Sequence, residues 1–198
     1  MPRSGKLHTA AAGGPRSEAV VVPPSLDSGV VVGVDPGSVK TGYGALRRQG
    51  VDVWWIRSGR LRPPRHLKLH ERLGWLHLSF GRLLDDLQPR AVAIETSFVG
   101  RNMRAALTLG QARGALITAA TSRRLPIHEF SPAEVKLAVV GHGSASKEQI
   151  QNMVPRLIGG LEHEPAEDEA DALAVALCCL HRQVREGWRD LASSRETR

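Results

Sequence analysis

Cysteine is nearly absent from this chain of 198 residues: Cys178 and Cys179 are its only two, adjacent in an apolar run. Neighbouring thiols in one helix-like segment suit neither a disulfide framework nor a zinc knuckle, and they point to a reducing cytoplasm. The eight histidines contain no HExxH pair or comparable zinc spacing. No apolar run approaches the roughly 20 residues of a membrane-spanning helix. Aromatic residues amount to 4%, and no segment pairs a basic helical face with an aromatic one, as a membrane-surface helix does. The residues after Arg3 and Lys6 lack the continuous apolar stretch of a secretion signal. A disulfide scaffold and a membrane partner are excluded on these grounds.

Charge of one sign is in surplus. Lys and Arg number 27 against 20 Asp and Glu, a formal charge of +7, which favours a polyanionic partner because clustered cations release counterions from a phosphate backbone. The length suits one domain able to bury a core without a covalent or metal staple. Residues 1–28, rich in Ala, Gly, Pro and Ser, read as a disordered N-terminal extension; 29–184 carry the periodic segments of a globular domain; 185–198 read as a flexible tail.

Within the domain, strand-like runs at 30–34, 41–46 and 51–61 are divided by short glycine-containing turns, the pattern of an antiparallel meander. Leu69, Leu73, Leu76, Phe80, Leu83, Leu84 and Leu87 recur at helical spacing up to Pro89. AVAIE at 91–95 is a short apolar strand of the kind covered on both faces. A helix over about 102–123, a strand at 126–130 and helices over 132–139, 147–158 and 168–184 complete the order, with GHGSAS at 141–146 as a loop. Three strands followed by alternating helices and strands predict an α/β fold.

Carboxylates mark its strand ends. Asp35 follows the valines of the first strand in GVDPGSVKTGYG (33–44), and Glu95 closes the fourth. Functional groups in open α/β sheets gather beyond the carboxyl ends of the strands, so the two acids face one another if their strands are neighbours. Asp168 and Asp171, in EDEADALAVAL (167–177), share one face of a helix start with Cβ atoms about 5–6 Å apart. Acids in a first turn also cap free N–H groups and offset the helix dipole, an account that suits Asp168 better than Asp171. Four convergent carboxylates with no nearby cation repel one another and either protonate or recruit a metal. Oxygen ligands without Cys or His select Mg2+ or Mn2+, and a pair of such ions, about 3.5–4 Å apart, clamps the attacking and leaving oxygens of an in-line phosphoryl displacement. Pro36 and Gly37 turn the chain away from Asp35, and Gly42 and Gly44 are expected to let a DNA backbone approach closely.

GVDPGSVKTGYG, AVAIETSFVGRN, LTLGQARG, VVGHGSASKEQIQNMV and EDEADALAVAL, in this order over residues 30–182, resemble the RuvC family of bacterial Holliday-junction resolvases. Five motifs together are far more specific than one. The resemblance implies an RNase H-like mixed five-stranded sheet, three antiparallel strands then two parallel, flanked by helices on both faces. It also implies a Mg2+-dependent endonuclease, with two ions per site and Mn2+ as a substitute, that nicks four-way junction DNA symmetrically as a homodimer in recombination and repair. Catalytic and metal-ligating roles then fall on Asp35, Glu95, Asp168 and Asp171, although some members carry histidine at the position of Asp168. Phe98 matches an aromatic that contacts unstacked bases, and Lys136 and Lys147 match basic residues near the scissile phosphate. The LTLGQARG helix is implied in a C2 dimer, and a branch-migration complex of the RuvA and RuvB type is a further partner that the resemblance raises.

Arg101 and Arg104 flank the helix start beside Phe98 and are candidates for phosphate contacts that read no bases. The glycines of LTLGQARG have the wrong spacing for a nucleotide motif and are assigned to close helix packing. Trp54 and Trp55, pointing to opposite faces of a strand, are assigned to packing as well. Two other functions compete. An actin-like ATP-dependent phosphotransferase also begins with an acid-and-glycine hairpin that cradles phosphate, but it needs a second domain for which 198 residues leave no room. A protein that binds junctions without cutting them is disfavoured by four acids that would weaken its hold on a polyanion.

Overall fold

The computed structural model describes residues 29–96 and 102–196, with side chains as far as Glu186 in the last helix. The extension expected over 1–28, and with it Phe98 and Arg101, lie outside the described residues. Strands β1 (Val31–Asp35), β2 (Thr41–Gln49) and β3 (Asp52–Leu61) form the meander, and β4 (Ala91–Glu95) and β5 (Ile127–Phe130) add to its β1 edge in the order β3-β2-β1-β4-β5. The first three strands pair antiparallel and the last two parallel, which is the expected RNase H-like mixed sheet.

Strand β1 is central and its side chains alternate between two apolar layers. Val32 and Val34, with Ile94 of β4, face α1 (Leu69–Leu87) and α2 (Met103–Thr121) through Phe80, Leu84, Leu116 and Ala119. Val31 and Ala93 face α5 (Glu167–Glu196) through Leu173 and Leu177, with α3 (Pro132–Val140) and α4 (Lys147–Met153) beside it. The helix-long apolar run after Asp171 is thereby explained: residues 172–180 are buried all round, between the sheet and α3.

Helix boundaries follow local chemistry. Asn102 accepts the Ala105 N–H at 3.1 Å and caps α2. Reciprocal capping boxes, Ser131 with Glu134 and Ser146 with Gln149, open α3 and α4. The helix expected to reach Ile158 gives way at Val154–Leu157 to a tighter 3-10 turn, because Pro155 has no N–H to continue the α ladder. The last helix, expected to end near Val184, continues to Glu196.

One glycine assignment is corrected and another is narrowed. A side chain at Gly42 would strike the backbone carbonyl of Asp168, and one at Gly44 would come within 2.6 Å of Leu173. These glycines therefore admit α5 against the sheet and leave no opening for DNA there. Conversely, among the described residues nothing lies within 4 Å of a Cβ placed at Gly110 or Gly114. The LTLGQARG glycines are not used for packing inside the chain, since α2 turns Ala112, Leu116 and Ala119 inward and leaves the glycine face open.

Candidate active site

Strands β1 and β4 run parallel in register, Val34 beside Ile94, so Asp35 and Glu95 leave the sheet together at its carboxyl end. Helix α5 begins beneath that end, its early turns packed on β1 and β2, and contributes Asp171. Glu95 and Asp171 line a depression of about 260 Å3 with Lys136 of α3 and Lys147 of α4, walled by Val135 and Ile150. The structure thus brings together Asp35, Glu95, Asp171, Lys136 and Lys147.

The electrostatics show how tightly the acids share this space. Burial, then the charges of Asp171 and Glu95, push the Asp35 carboxyl from its ordinary 3.8 up to about 7. Burial and Asp171 also raise Glu95, with Lys147 and Lys136 pulling the other way. Asp171 itself is raised by burial, against the opposing pull of Lys147. The sequence reading supposed that no cation stood near these acids, and here it is corrected. Lys147 Nζ lies 3.0 Å from Asp171 and 2.6 Å from Glu167. Burial works to lower its ammonium, but hydrogen bonds to these two acids hold it above the ordinary lysine range.

Asp168 occupies a separate niche. It is 4% exposed, and neither carboxylate oxygen has a hydrogen-bond partner. Its nearest cations are Lys40 at 3.5 Å and Arg60 at 3.8 Å. A buried carboxylate normally has its lone pairs satisfied, so this one is short of positive charge or donors. Three crowded carboxyls with raised pKa values and a fourth with orphaned oxygens fit a hard divalent cation, whose charge would offset both deficits. Among the described residues no three Asp, Glu, His or Cys side chains stand in ready ligating geometry, so the acids converge without forming a finished cage.

Arg104 does not enter this depression. It is exposed and lines a neighbouring one with Ser38 of the β1–β2 turn and Asn102. Sequence reasoning missed Glu167, Lys40 and Arg60. Glu167 directly precedes Asp168, and Lys40 lies in the hairpin after Asp35; adjacency was the available signal. Arg60 gave none, because only the pairing of Arg60 with Gly42 across β2 and β3 sets it beside a glycine over which it can reach Asp168. Also unforeseen is a brace at the start of α5. Trp55 Nε1–H donates to Ser58 Oγ at 2.7 Å, Ser58 donates to Glu169, and His163 Nε2 lies 2.9 Å from the same carboxylate.

The profile of the family described as crossover junction endodeoxyribonuclease RuvC matches residues 31–179. A crossover junction endodeoxyribonuclease RuvC of Chlorobaculum parvum is 46% identical over 153 residues, covering 77% of this chain and 82% of the relative. That of Protochlamydia amoebophila is 44% identical over 155 residues, covering 78% and 91%. Among solved structures, T. thermophilus RuvC in complex with Holliday junction substrate superposes with a TM-score of 0.72 at 32% identity, covering 78% of this chain and 94% of that one.

Proposed function

Because this chain belongs to the RuvC family of crossover junction endodeoxyribonucleases, we propose that it resolves four-way DNA junctions by symmetric, metal-dependent phosphodiester hydrolysis. The observation that carries the reading is the mutual crowding of Asp35, Glu95 and Asp171 beside Lys136 and Lys147. Acids gathered at such a density in a basic protein weaken its hold on DNA unless they hold cations.

Asp35, Glu95, Asp168 and Asp171 are the residues that would hold the metal, and their oxygen donors suit Mg2+, two ions per site, with Mn2+ as a substitute. A divalent charge held there would offset the carboxylates and the negative charge that builds on the phosphate during displacement. Lys136 and Lys147 face the same depression and orient the scissile phosphate. Val135 and Ile150 keep one wall of it dry, which strengthens each charge interaction inside. Water attacks phosphorus in line with the departing 3′ oxygen, leaving a 5′ phosphate and a 3′ hydroxyl. Phe98 stacks on an unpaired base, and Arg101 and Arg104 contact phosphates without reading sequence.

Symmetric cutting calls for a C2 dimer. The open glycine face of α2, with exposed Met103 and Leu107, is the surface through which it forms. A branch-migration complex of the RuvA and RuvB type would supply the junction. No described helix is long and apolar enough to cross a membrane, and the buried free thiols of Cys178 and Cys179 suit a reducing cytoplasm.

A synthetic four-way junction incubated with the full chain tests the reading. Paired nicks of like polarity are expected in Mg2+, and binding without nicks in chelator. Binding without nicks in both Mg2+ and Mn2+ would leave only a junction-binding protein.

A further inference from the structure

A second basic depression, of about 440 Å3, lies between the catalytic hairpin and the start of α1, lined by Val39, Lys40, Arg62, Pro63, Arg65 and Arg72. Four of these six residues are cations and none is acidic. The fold builds the cluster from three places. Thr41 pairs with Leu61, so Lys40 and Arg62 sit side by side where β2 begins and β3 ends. Pro63 is buried and anchors the connection; the fixed φ angles of Pro63 and Pro64 stiffen it, and a turn closed by the Leu67 N–H on the Pro64 carbonyl at 3.2 Å follows, so exposed Arg62 and Arg65 are presented from a stiff support. Arg72, in the first turns of α1, has its Nε buried with no hydrogen-bond partner.

Three of the four charges in this groove are uncompensated by the protein; only Lys40 stands near a carboxylate, that of Asp168. Arg57, Arg113, Arg123 and Arg182 each meet a carboxylate elsewhere on the surface. Among the described residues, Arg62, Arg65 and Arg72 meet none. Three guanidinium groups gathered around one concavity repel one another, and a polyanion entering it relieves that repulsion. Their planar forks suit phosphate oxygens, which they grip in bidentate fashion. The groove has no aromatic ring for a base to stack on, so the ligand it fits is a sugar–phosphate backbone rather than a nucleotide. It also adjoins one of the site's acids, Asp168. Lys40 lines it and stands 3.5 Å from Asp168, whereas Lys136 and Lys147 lie on the Asp171 side.

We propose that this groove is a second phosphate track, which holds the DNA backbone beyond the scissile phosphate on the Asp168 side of the active site. The proposal rests on the nuclease reading for its ligand. The contact is independent of sequence, and it gives the enzyme a grip on a junction arm that does not involve the catalytic acids.

The test uses the full chain with Arg62→Gln and Arg65→Gln combined, both exposed positions whose replacement leaves the core untouched. Binding to a four-way junction is measured in chelator over a range of salt. Each lost phosphate contact makes the slope of log Kobs against log salt shallower by about 1, so a change of about 2 per protomer is expected, with affinity at low salt reduced about tenfold or more. In Mg2+, KM should rise while kcat at saturating junction stays unchanged. Arg72→Gln, added separately, should take a further step in slope. An unchanged slope and affinity in a protein that still cuts would overturn the groove alone, as would a fall in kcat without loss of affinity. A wild-type chain that binds junctions but never cuts them overturns the nuclease reading instead, and the salt slopes then still decide the groove.

Discussion

Asp35 carries the heaviest electrostatic burden of any residue in the site. Its carboxyl is raised from 3.8 to about 7 by burial and by its acidic neighbours, so between those values the metal-free fold retains a proton that the unfolded chain has released. Stability therefore falls as pH rises through that window, and the full cost is present above about pH 7. Asp35→Asn removes this cost. It should abolish cleavage in Mg2+, keep junction binding, and stabilise the metal-free protein at pH 8 by about 1–4 kcal/mol. Thermal melting in chelator at pH 5 and pH 8 checks it, since the gain should shrink at the lower pH. A variant that still cuts at the wild-type rate would remove Asp35 from the mechanism.

His181 has the opposite sign. Burial, then the charge of Arg48, lowers its pKa from the ordinary 6.5, against the backbone hydrogen bond to Ala138. The unfolded chain takes up a proton there first as pH falls, so the stability is fully present above 6.5 and is lost below it. His181→Gln should lose less stability than wild type between pH 7.5 and pH 5.5. Parallel melting curves for the two proteins over that range would show that His181 has no such part.

At the scale of elements, the approach of α5 to the hairpin governs the geometry of the acids. The absence of a side chain at Gly42 lets the Asp168 carbonyl lie against β2, and this contact fixes the first turn of the helix that bears both Asp168 and Asp171. Gly42→Ala places a methyl group where backbone already sits, and interiors at crystal-like packing density do not absorb such a change. A loss of about 2 kcal/mol or more is expected, together with reduced cleavage because both aspartates move with the helix. Chemical denaturation measures the first effect and single-turnover nicking the second; a stable, fully active variant would show that α5 can stand off from the sheet. The Trp55–Ser58–Glu169–His163 brace secures the same turn from β3 and from the loop before α5.

For the whole molecule, one face gathers the machinery and another is left over. The acidic centre, the Lys136–Lys147 wall and the arginine groove all adjoin the carboxyl end of the sheet, while α2 exposes Met103 and Leu107 beside glycines with open space above them. A charge on that face should prevent self-association. Leu107→Glu is expected to sediment as a monomer with its fold intact, and to nick junction strands singly instead of in pairs; a dimer of unchanged stability would move the interface elsewhere.

The strands and helices, their order and the acids at their ends were legible along the chain, because alternation, helical spacing, capping residues and Pro89 act over a few neighbours, although two helix ends were not. The sequence also carried the family pattern, since motif identity and spacing are one-dimensional. Which cation meets which acid, Lys147 between Asp171 and Glu167, and Lys40 with Arg60 at Asp168, emerged from the folded arrangement alone. That arrangement likewise decided that Gly42 and Gly44 receive a helix rather than DNA, and that Lys40, Arg62, Arg65 and Arg72 enclose one groove. The physical reason is the same in each case. Electrostatic and contact energies depend on distances set by strand register and by the packing of α5 on the sheet, and residues more than 100 positions apart, such as Arg60 and Asp168, have no local signal of that distance.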